Sequence, residues 1–245
     1  MVSKTTAKFI KSLQLKKYRK QEQCFLVEGA KSVLEVLQSD FEVMLLVATQ
    51  PFLDVYSLGG KLEVHVATAQ QLSSLGTFKS NDAALAVVKM KEQEPFSFEQ
   101  QEWCIALDDV NDPGNMGSIL RIADWYGIYK VLASEQTADF YNPKTIAASK
   151  GSFCRVQAYY TSLKEVLTQY PQPVYGAFME GEDIHKVQFG RGGMLVLGNE
   201  ANGISLAISS LITKKITIPR YGKAESLNVA MATAVICDNI KRSQK

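Results

Sequence analysis

With 245 residues, 46% of them apolar and 21% charged, the chain is long enough for one large domain or two modest ones and can bury an ordinary core. No apolar run approaches the roughly 20 residues of a membrane span, and the start MVSKTTAKF lacks a signal-peptide hydrophobic region, so a cytoplasmic protein with no membrane partner is expected. The net charge of +2 hides an asymmetry: residues 1–21 hold Lys4, Lys8, Lys11, Lys16, Lys17, Arg19 and Lys20 and no acid, which leaves the remainder slightly acidic. Such a segment suits a phosphate backbone, and a solvated tail explains the charge equally well.

In chain order, residues 25–27 read as a short strand, followed by Glu28-Gly29 and a helix with Ala30, Val33, Leu34 and Leu37 at helical spacing. Residues 43–47 form a buried-strand run, and residues 62–66 alternate. Thr68 can cap a short helix, and residues 84–88 make a further strand. Residues 1–90 are therefore expected to form a small α/β domain. The polar stretch 91–101, broken by Pro95, reads as a linker. A second domain, residues 102–245, alternates candidate strands at 103–107, 130–133, 174–178, 194–197 and 215–218 with helical segments. Gly127 stands just past a helix whose apolar face is Ile119, Ile122, Ala123 and Tyr126. This alternation predicts a mostly parallel sheet covered on both faces, with ligands bound beyond the carboxyl ends of its strands.

Cys24, Cys104, Cys154 and Cys237 form no close pair, and His65 and His185 lie near none of them, so neither zinc nor any other metal is expected. Free thiols in a reducing compartment follow. With two histidines, of which His65 reads as a strand position, a His-based triad is not expected. Neither GxxxxGK[ST] nor GxGxxG entering a helix occurs, which argues against a P-loop ATPase and a standard dinucleotide enzyme.

Chemistry concentrates in three loops that each follow an apolar run: Asn115-Met-Gly-Ser-Ile-Leu-Arg121, Leu197-Gly-Asn-Glu-Ala-Asn-Gly203, and Ile216-Thr-Ile-Pro-Arg-Tyr-Gly-Lys-Ala-Glu-Ser-Leu-Asn228. Asn115 falls near a helix start, where free N–H groups attract anions. Singly, each has a structural explanation: Arg121 as a surface cation paired with Asp124, the glycines of the second loop as a tight turn, Ser226 as the cap of the last helix with Asn228 in its first turn. Three loops at strand ends can also converge on one pocket.

In order and spacing over about residues 103–241, the set resembles the SpoU/TrmH family of RNA 2′-O-ribose methyltransferases in the SPOUT superfamily. The segment Tyr141-Asn-Pro-Lys-Thr-Ile-Ala-Ala-Ser-Lys-Gly151 is similar to the family's stretch between its first two motifs. Residues 1–90 are more weakly similar to its ribosomal-protein-like substrate-binding module, through Leu13, Lys16, Lys17, Arg19 and residues 25–29. The resemblance implies S-adenosylmethionine as methyl donor, a deep C-terminal trefoil knot and a homodimer through the knotted domain. Pattern reasoning alone would not propose a knot. The resemblance further implies that Gly198, Asn199, Ile218, Pro219 and Leu227 hold the cofactor, largely through backbone groups. It makes Arg121, with Asn115, Glu200, Ser226 and Asn228, the reacting centre, and Lys16, Lys17, Arg19 and Lys31 contacts to RNA.

Family proposals make the first-motif arginine the activating group. Deprotonating an arginine near pH 7 costs roughly 7 kcal/mol, so a cation beside the ribose and phosphate is the better physical reading. Glu200 could pair with Arg121 or accept the proton. The expected substrate is ribosomal RNA; the alternatives are a transfer-RNA enzyme or a catalytically silent RNA-binding member of the fold.

Overall fold

The structure, a computed structural model, describes residues 2–56 and 62–244. Its chain divides into two compact units, Met1–Glu92 with Phe140–Cys154, and Gln93–Asp139 with Arg155–Lys245.

The first unit opens with helices α1 (Lys4–Ser12) and α2 (Lys16–Glu22). Ser3 caps α1 by accepting the Thr6 N–H at 3.0 Å. Strand β1 (Cys24–Glu28), helix α3 (Ala30–Leu37), β2 (Val43–Ala48), α4 (Gln50–Val55), β3 (Glu63–Val66), α5 (Ala69–Leu75) and β4 (Ala84–Lys89) follow. Thr68 does cap α5, in a full capping box with Gln71. The sheet order is β1-β4-β2-β3, with only β2 and β3 parallel. One sheet face packs Leu26, Leu45, Val47, Leu85 and Val87 against Ile10 and Leu13 at the end of α1 and Leu72 and Leu75 of α5.

Residues 140–154, which include helix α7 (Pro143–Ser149), belong to this unit although they fall late in sequence. Phe25 of β1 meets the Tyr141 ring at 4.6 Å and the Phe153 ring at 5.9 Å, and the Tyr141 hydroxyl accepts the Lys91 N–H at 3.1 Å. Gly151 lies so near Glu35 that a Cβ would come within 2.6 Å of its Cγ.

The second unit holds β5 (Trp103–Asp108), α6 (Pro113–Trp125), β6 (Lys130–Ala133), β7 (Gln157–Tyr160), α8 (Leu163–Gln169), β8 (Val174–Asp183), β9 (Gly193–Gly198), α9 (Leu206–Ser209), β10 (Lys214–Thr217) and α10 (Val229–Arg242). Its six strands, in the order β10-β8-β9-β5-β6-β7, are all parallel. Cys104, Ala106, Met194 and Val196 face α8 and α9 through Leu163, Leu167 and Ile208. Alternation along the strands sends Ile105, Leu107, Leu195 and Leu197, all fully buried, to the opposite face, where α10 packs on α6 and β9. Gly127, at φ +65°, ends α6 in the left-handed region, as a glycine past a helix should.

Two features differ from the sequence expectations. Strand β7, Gln-Ala-Tyr-Tyr, is too short and too polar to stand out, and it forms because β6 presents an unpaired parallel edge. The polar stretch after Glu92 lies along the second unit: Phe96 packs on Tyr159, Phe98 on Tyr170, and Gln172 Nε2 donates to the Glu99 carbonyl at 2.8 Å.

Candidate active site

The order of the parallel strands leaves a crevice at the carboxyl ends of β5 and β9, because the chain leaves β5 toward β6 and returns to its other side only with β9. The first loop leaves β5 there and enters α6. Asp112 caps this helix, its carboxylate accepting the Asn115 N–H at 2.9 Å, and Pro113 follows in the first turn. Asn115 is thereby fixed at the helix start with its side chain free to bond elsewhere.

The second loop leaves β9 at Gly198. Asn199 and Gly203 close it by exchanging backbone hydrogen bonds of 3.0 and 2.9 Å, with Gly203 at φ +67°. The turn folds back so tightly that a Cβ on Gly198 would sit 2.2 Å from the Gly203 carbonyl carbon and 2.3 Å from the Ile204 nitrogen.

The third loop leaves β10, separated from β9 by β8, and residues 218–228 carry the chain back to the crevice. Here the structure corrects the sequence reading. Asn228, not Ser226, caps α10, its amide oxygen accepting the N–H groups of Ala230 at 3.0 Å and Met231 at 3.3 Å. Ser226 stands two residues earlier, exposed, with its hydroxyl left over from capping.

The three loops meet through side chains. Asn228 Nδ2 donates to Asn115 Oδ1 at 2.9 Å, and Asn115 Nδ2 donates to Glu200 Oε1 at 2.8 Å. The chain runs from the N-terminus of α10 through two amides to one carboxylate, so each group polarises the next in one direction. Asn115 uses both ends of its amide, which fixes its rotamer. The second carboxylate oxygen of Glu200, an exposed residue, faces no hydrogen-bond donor among the described residues.

Arg121 is not part of this network. It is exposed on α6 and has no hydrogen bond or ion pair among the described residues. Neither pairing considered for it forms: Asp124 is held by Arg155 at 2.8 to 3.1 Å, and Glu200 receives Asn115. The residues expected to hold a cofactor lie at the ends of their strands. Gly198 closes β9, Ile218 and Pro219 follow β10 partly buried, and Leu227 is 53% exposed. The Asn199 side chain braces its own loop and ties it to the first. Its Nδ2 donates to the Asp109 carbonyl at 2.7 Å, and its Oδ1 accepts the N–H groups of Ala201 and Asn202 at 2.9 and 3.1 Å.

In the first unit, Lys16, Lys17 and Lys31 are exposed, as contacts to a phosphate backbone must be. The helical spacing of α1 sets Lys4, Lys8 and Lys11 along one stripe. Arg19 departs from the expectation. It is only 2% exposed, and its guanidinium donates to the carbonyls of Leu13 and Gln14 at 3.1 and 2.8 Å, filling the acceptors left at the end of α1. An arginine so used is a structural clamp and cannot reach RNA without unpicking that turn. Glu28, also buried, accepts from the Thr77 N–H at 2.9 Å and the Thr77 hydroxyl at 2.6 Å, holding the turn after α5.

No thiol competes for a nucleophilic role in the second unit. Burial pushes both Cys104 and Cys237 up to about 12, far from the thiolate form at neutral pH.

Sequence reasoning missed Asp112, although an Asp-Pro pair before an apolar helix is a readable start signal. It also missed Asp108, whose buried carboxylate accepts the Ser205 N–H at 2.7 Å and ties β5 to the chain beyond the second loop. No local pattern announces that contact.

A family model for the SpoU rRNA methylases matches residues 102–238, the stretch that carries all three loops. The chain belongs to the SpoU rRNA methylase family. A model of the MRM3-like substrate-binding domain matches residues 4–86 of this SpoU methylase. It is 27% identical to the 23S rRNA (guanosine(2553)-2′-O)-methyltransferase RlmP of Bacillus subtilis over 94% of each chain. A TrmH-family protein from Porphyromonas gingivalis superposes with a TM-score of 0.89 at 36% identity, covering 99% of both chains. The SpoU methyltransferase AviRb of Streptomyces viridochromogenes, solved with AdoMet, has the same fold, with a TM-score of 0.86 at 24% identity over 99% of this chain and 98% of that one.

Proposed function

We propose that this SpoU methylase transfers a methyl group from S-adenosylmethionine to a ribose 2′-hydroxyl of structured ribosomal RNA. The observation that carries the reading is the hydrogen-bonded chain Asn228–Asn115–Glu200, which joins the three family loops at one crevice of a parallel sheet. RlmP supplies the analogy for a ribosomal substrate, as does the substrate-binding domain matched over residues 4–86.

The residues present fit the cofactor. It carries no phosphate, and the crevice has no glycine-rich phosphate loop. What the loops offer is apolar surface from Ile218, Pro219 and Leu227 and backbone groups outside any strand or helix at those positions. When bound, the sulfonium supplies an electrophilic methyl whose bond to sulfur breaks as the bond to the 2′-oxygen forms. Arg121, as a cation, stabilises the charge developing on that oxygen and grips the adjacent phosphate. Glu200 has one carboxylate oxygen committed to Asn115 and a second for the departing 2′-proton. Asn115, itself held by Asn228, holds that carboxylate, and the Ser226 hydroxyl contacts the nucleotide.

We also propose a trefoil-knotted second unit that forms a homodimer. Trp125, the last residue of α6, is 82% exposed, Tyr129, just before β6, is 51% exposed, and Met231 is 64% exposed on α10, the helix packed against α6. Exposed apolar side chains on two helices that pack together suit burial against a second copy. A cytoplasmic setting agrees with the free cysteines.

The decisive experiment maps ribose methylation across total RNA from cells with and without the protein. One 2′-O-methyl site lost from ribosomal RNA and restored by purified protein with S-adenosylmethionine is the expected result. A lost site in transfer RNA would move the substrate, and an unchanged map would leave a silent RNA-binding member. Affinity for the RNA should also fall steeply with salt, because Lys16, Lys17 and Lys31 release counterions from phosphates. Replacing Lys16 and Lys17 by alanine should lower the slope of log affinity against log salt by about one to two units, measured by filter binding.

A further inference from the structure

Directly after β5 and three residues before the α6 cap, Asp109 has a left-handed backbone at φ +58°, a region that non-glycine residues adopt uncommonly and Asp and Asn most readily. Three hydrogen bonds to two side chains hold it here. The Asp109 N–H donates to Ser134 Oγ at 2.9 Å, and that hydroxyl donates to Asp109 Oδ1 at 2.5 Å. The Asp109 carbonyl accepts Asn199 Nδ2 at 2.7 Å. Ser134 is itself seated: its N–H donates to the Leu107 carbonyl at 3.0 Å, and its hydroxyl meets Thr137 Oγ1 at 3.0 Å.

These bonds span three adjacent strands. Ser134 follows β6, Asp109 follows β5, and Asn199 follows β9, the strand on the other side of β5. Asn199 lies between Gly198 and Glu200 and organises the second loop through the Ala201 and Asn202 N–H groups. Asp109 lies three residues before the cap that sets Asn115. One residue thus fixes the starting direction of the first loop and the height of the second against it.

Resting on the proposed methyl transfer, we infer that Asp109 and Ser134 are positioning residues for that reaction, acting through Asn199 and the α6 start on Glu200, Asn115 and the cofactor-binding backbone. Neither contacts the reacting atoms. Their work is to lock the left-handed turn that brings the first two loops together. An error of about 1 Å in such a constellation costs on the order of a hundredfold in rate.

The test uses the full chain with Asp109→Ala, Asp109→Asn and Ser134→Ala. S-adenosylmethionine binding is measured by calorimetry, and kcat and KM for both substrates by methyl transfer to ribosomal RNA. Asp109→Ala and Ser134→Ala should lower kcat about tenfold to a hundredfold and raise KM for S-adenosylmethionine, with the far-UV spectrum retained. Asp109→Asn should recover most of the loss, since asparagine tolerates the left-handed turn and keeps an oxygen for Ser134. Wild-type kcat and KM in folded Asp109→Ala and Ser134→Ala would overturn the inference, as would a lowered melting temperature with unchanged kcat per folded molecule. Should Asp109→Ala fail to fold, Ser134→Ala decides, because it leaves the backbone preference untouched. Arg121→Ala separates the two levels. Its full activity would sink the site reading, whereas its inactivity beside active Asp109 and Ser134 variants would sink this inference alone.

Discussion

Replacing Arg121 by alanine should lower methyl transfer about a hundredfold to a thousandfold while leaving S-adenosylmethionine binding and the fold intact. Arg121 is exposed, with no hydrogen bond or ion pair among the described residues, so its removal should cost the fold no more than about 0.5 kcal/mol. A cation with no partner among the described residues is available to a charged transition state. Arg121→Lys keeps the charge but loses the planar fork that can hold a phosphate and a reacting oxygen together, so an intermediate rate is expected. Single-turnover methyl transfer at saturating cofactor measures the effect, with calorimetric binding as control. Unchanged turnover in Arg121→Ala would remove this residue from the mechanism. Glu200→Gln then divides the two roles open to the carboxylate. Glutamine still accepts from Asn115, so a positioning role predicts a small loss, whereas loss of a proton acceptor predicts about a hundredfold or more.

Gly198→Ala should cost S-adenosylmethionine affinity at least about tenfold and destabilise the protein by about 1–3 kcal/mol. The added methyl would meet three backbone atoms of Gly203 and Ile204 between 2.2 and 2.5 Å, distances no real Cβ tolerates, and backbone cannot swing aside as a side chain can. The second loop must then open, breaking the paired bonds between Asn199 and Gly203 and moving Asn199 away from Asp109. Titration calorimetry and thermal unfolding check both parts. Wild-type affinity in Gly198→Ala would mean that the second loop does not shape the cofactor site. Gly203→Ala makes an informative contrast: nothing lies within 4 Å of its added Cβ, so only the positive φ is strained and a smaller effect is expected.

Much of the second unit was legible because parallel strands buried on both faces leave continuous apolar runs. All five strands expected there are present, and Gly127 ends α6 as its position implied. The strand that escaped notice, β7, owes its state to the edge of β6 and not to its own residues. In the first unit, Thr68 announced its helix by local chemistry. The attachment of residues 140–154 to β1 had no local sign, since it depends on aromatic contacts between positions more than a hundred residues apart.

The site divides in the same way. Asn115, Glu200 and Asn228 were named by the resemblance of three ordered loops to a known family, because loops built from glycines and amides leave a sparse but ordered trace. Which of these touch, and what they touch, was a tertiary matter. Asn228 took the cap expected of Ser226, Asp124 paired with Arg155 and left Arg121 without a partner among the described residues, and Arg19 turned inward to serve two carbonyls. The reason is physical: apolar periodicity and capping preferences act within a few residues and survive in the sequence, whereas a hydrogen bond between loops exists only once the sheet order has set β5 beside β9.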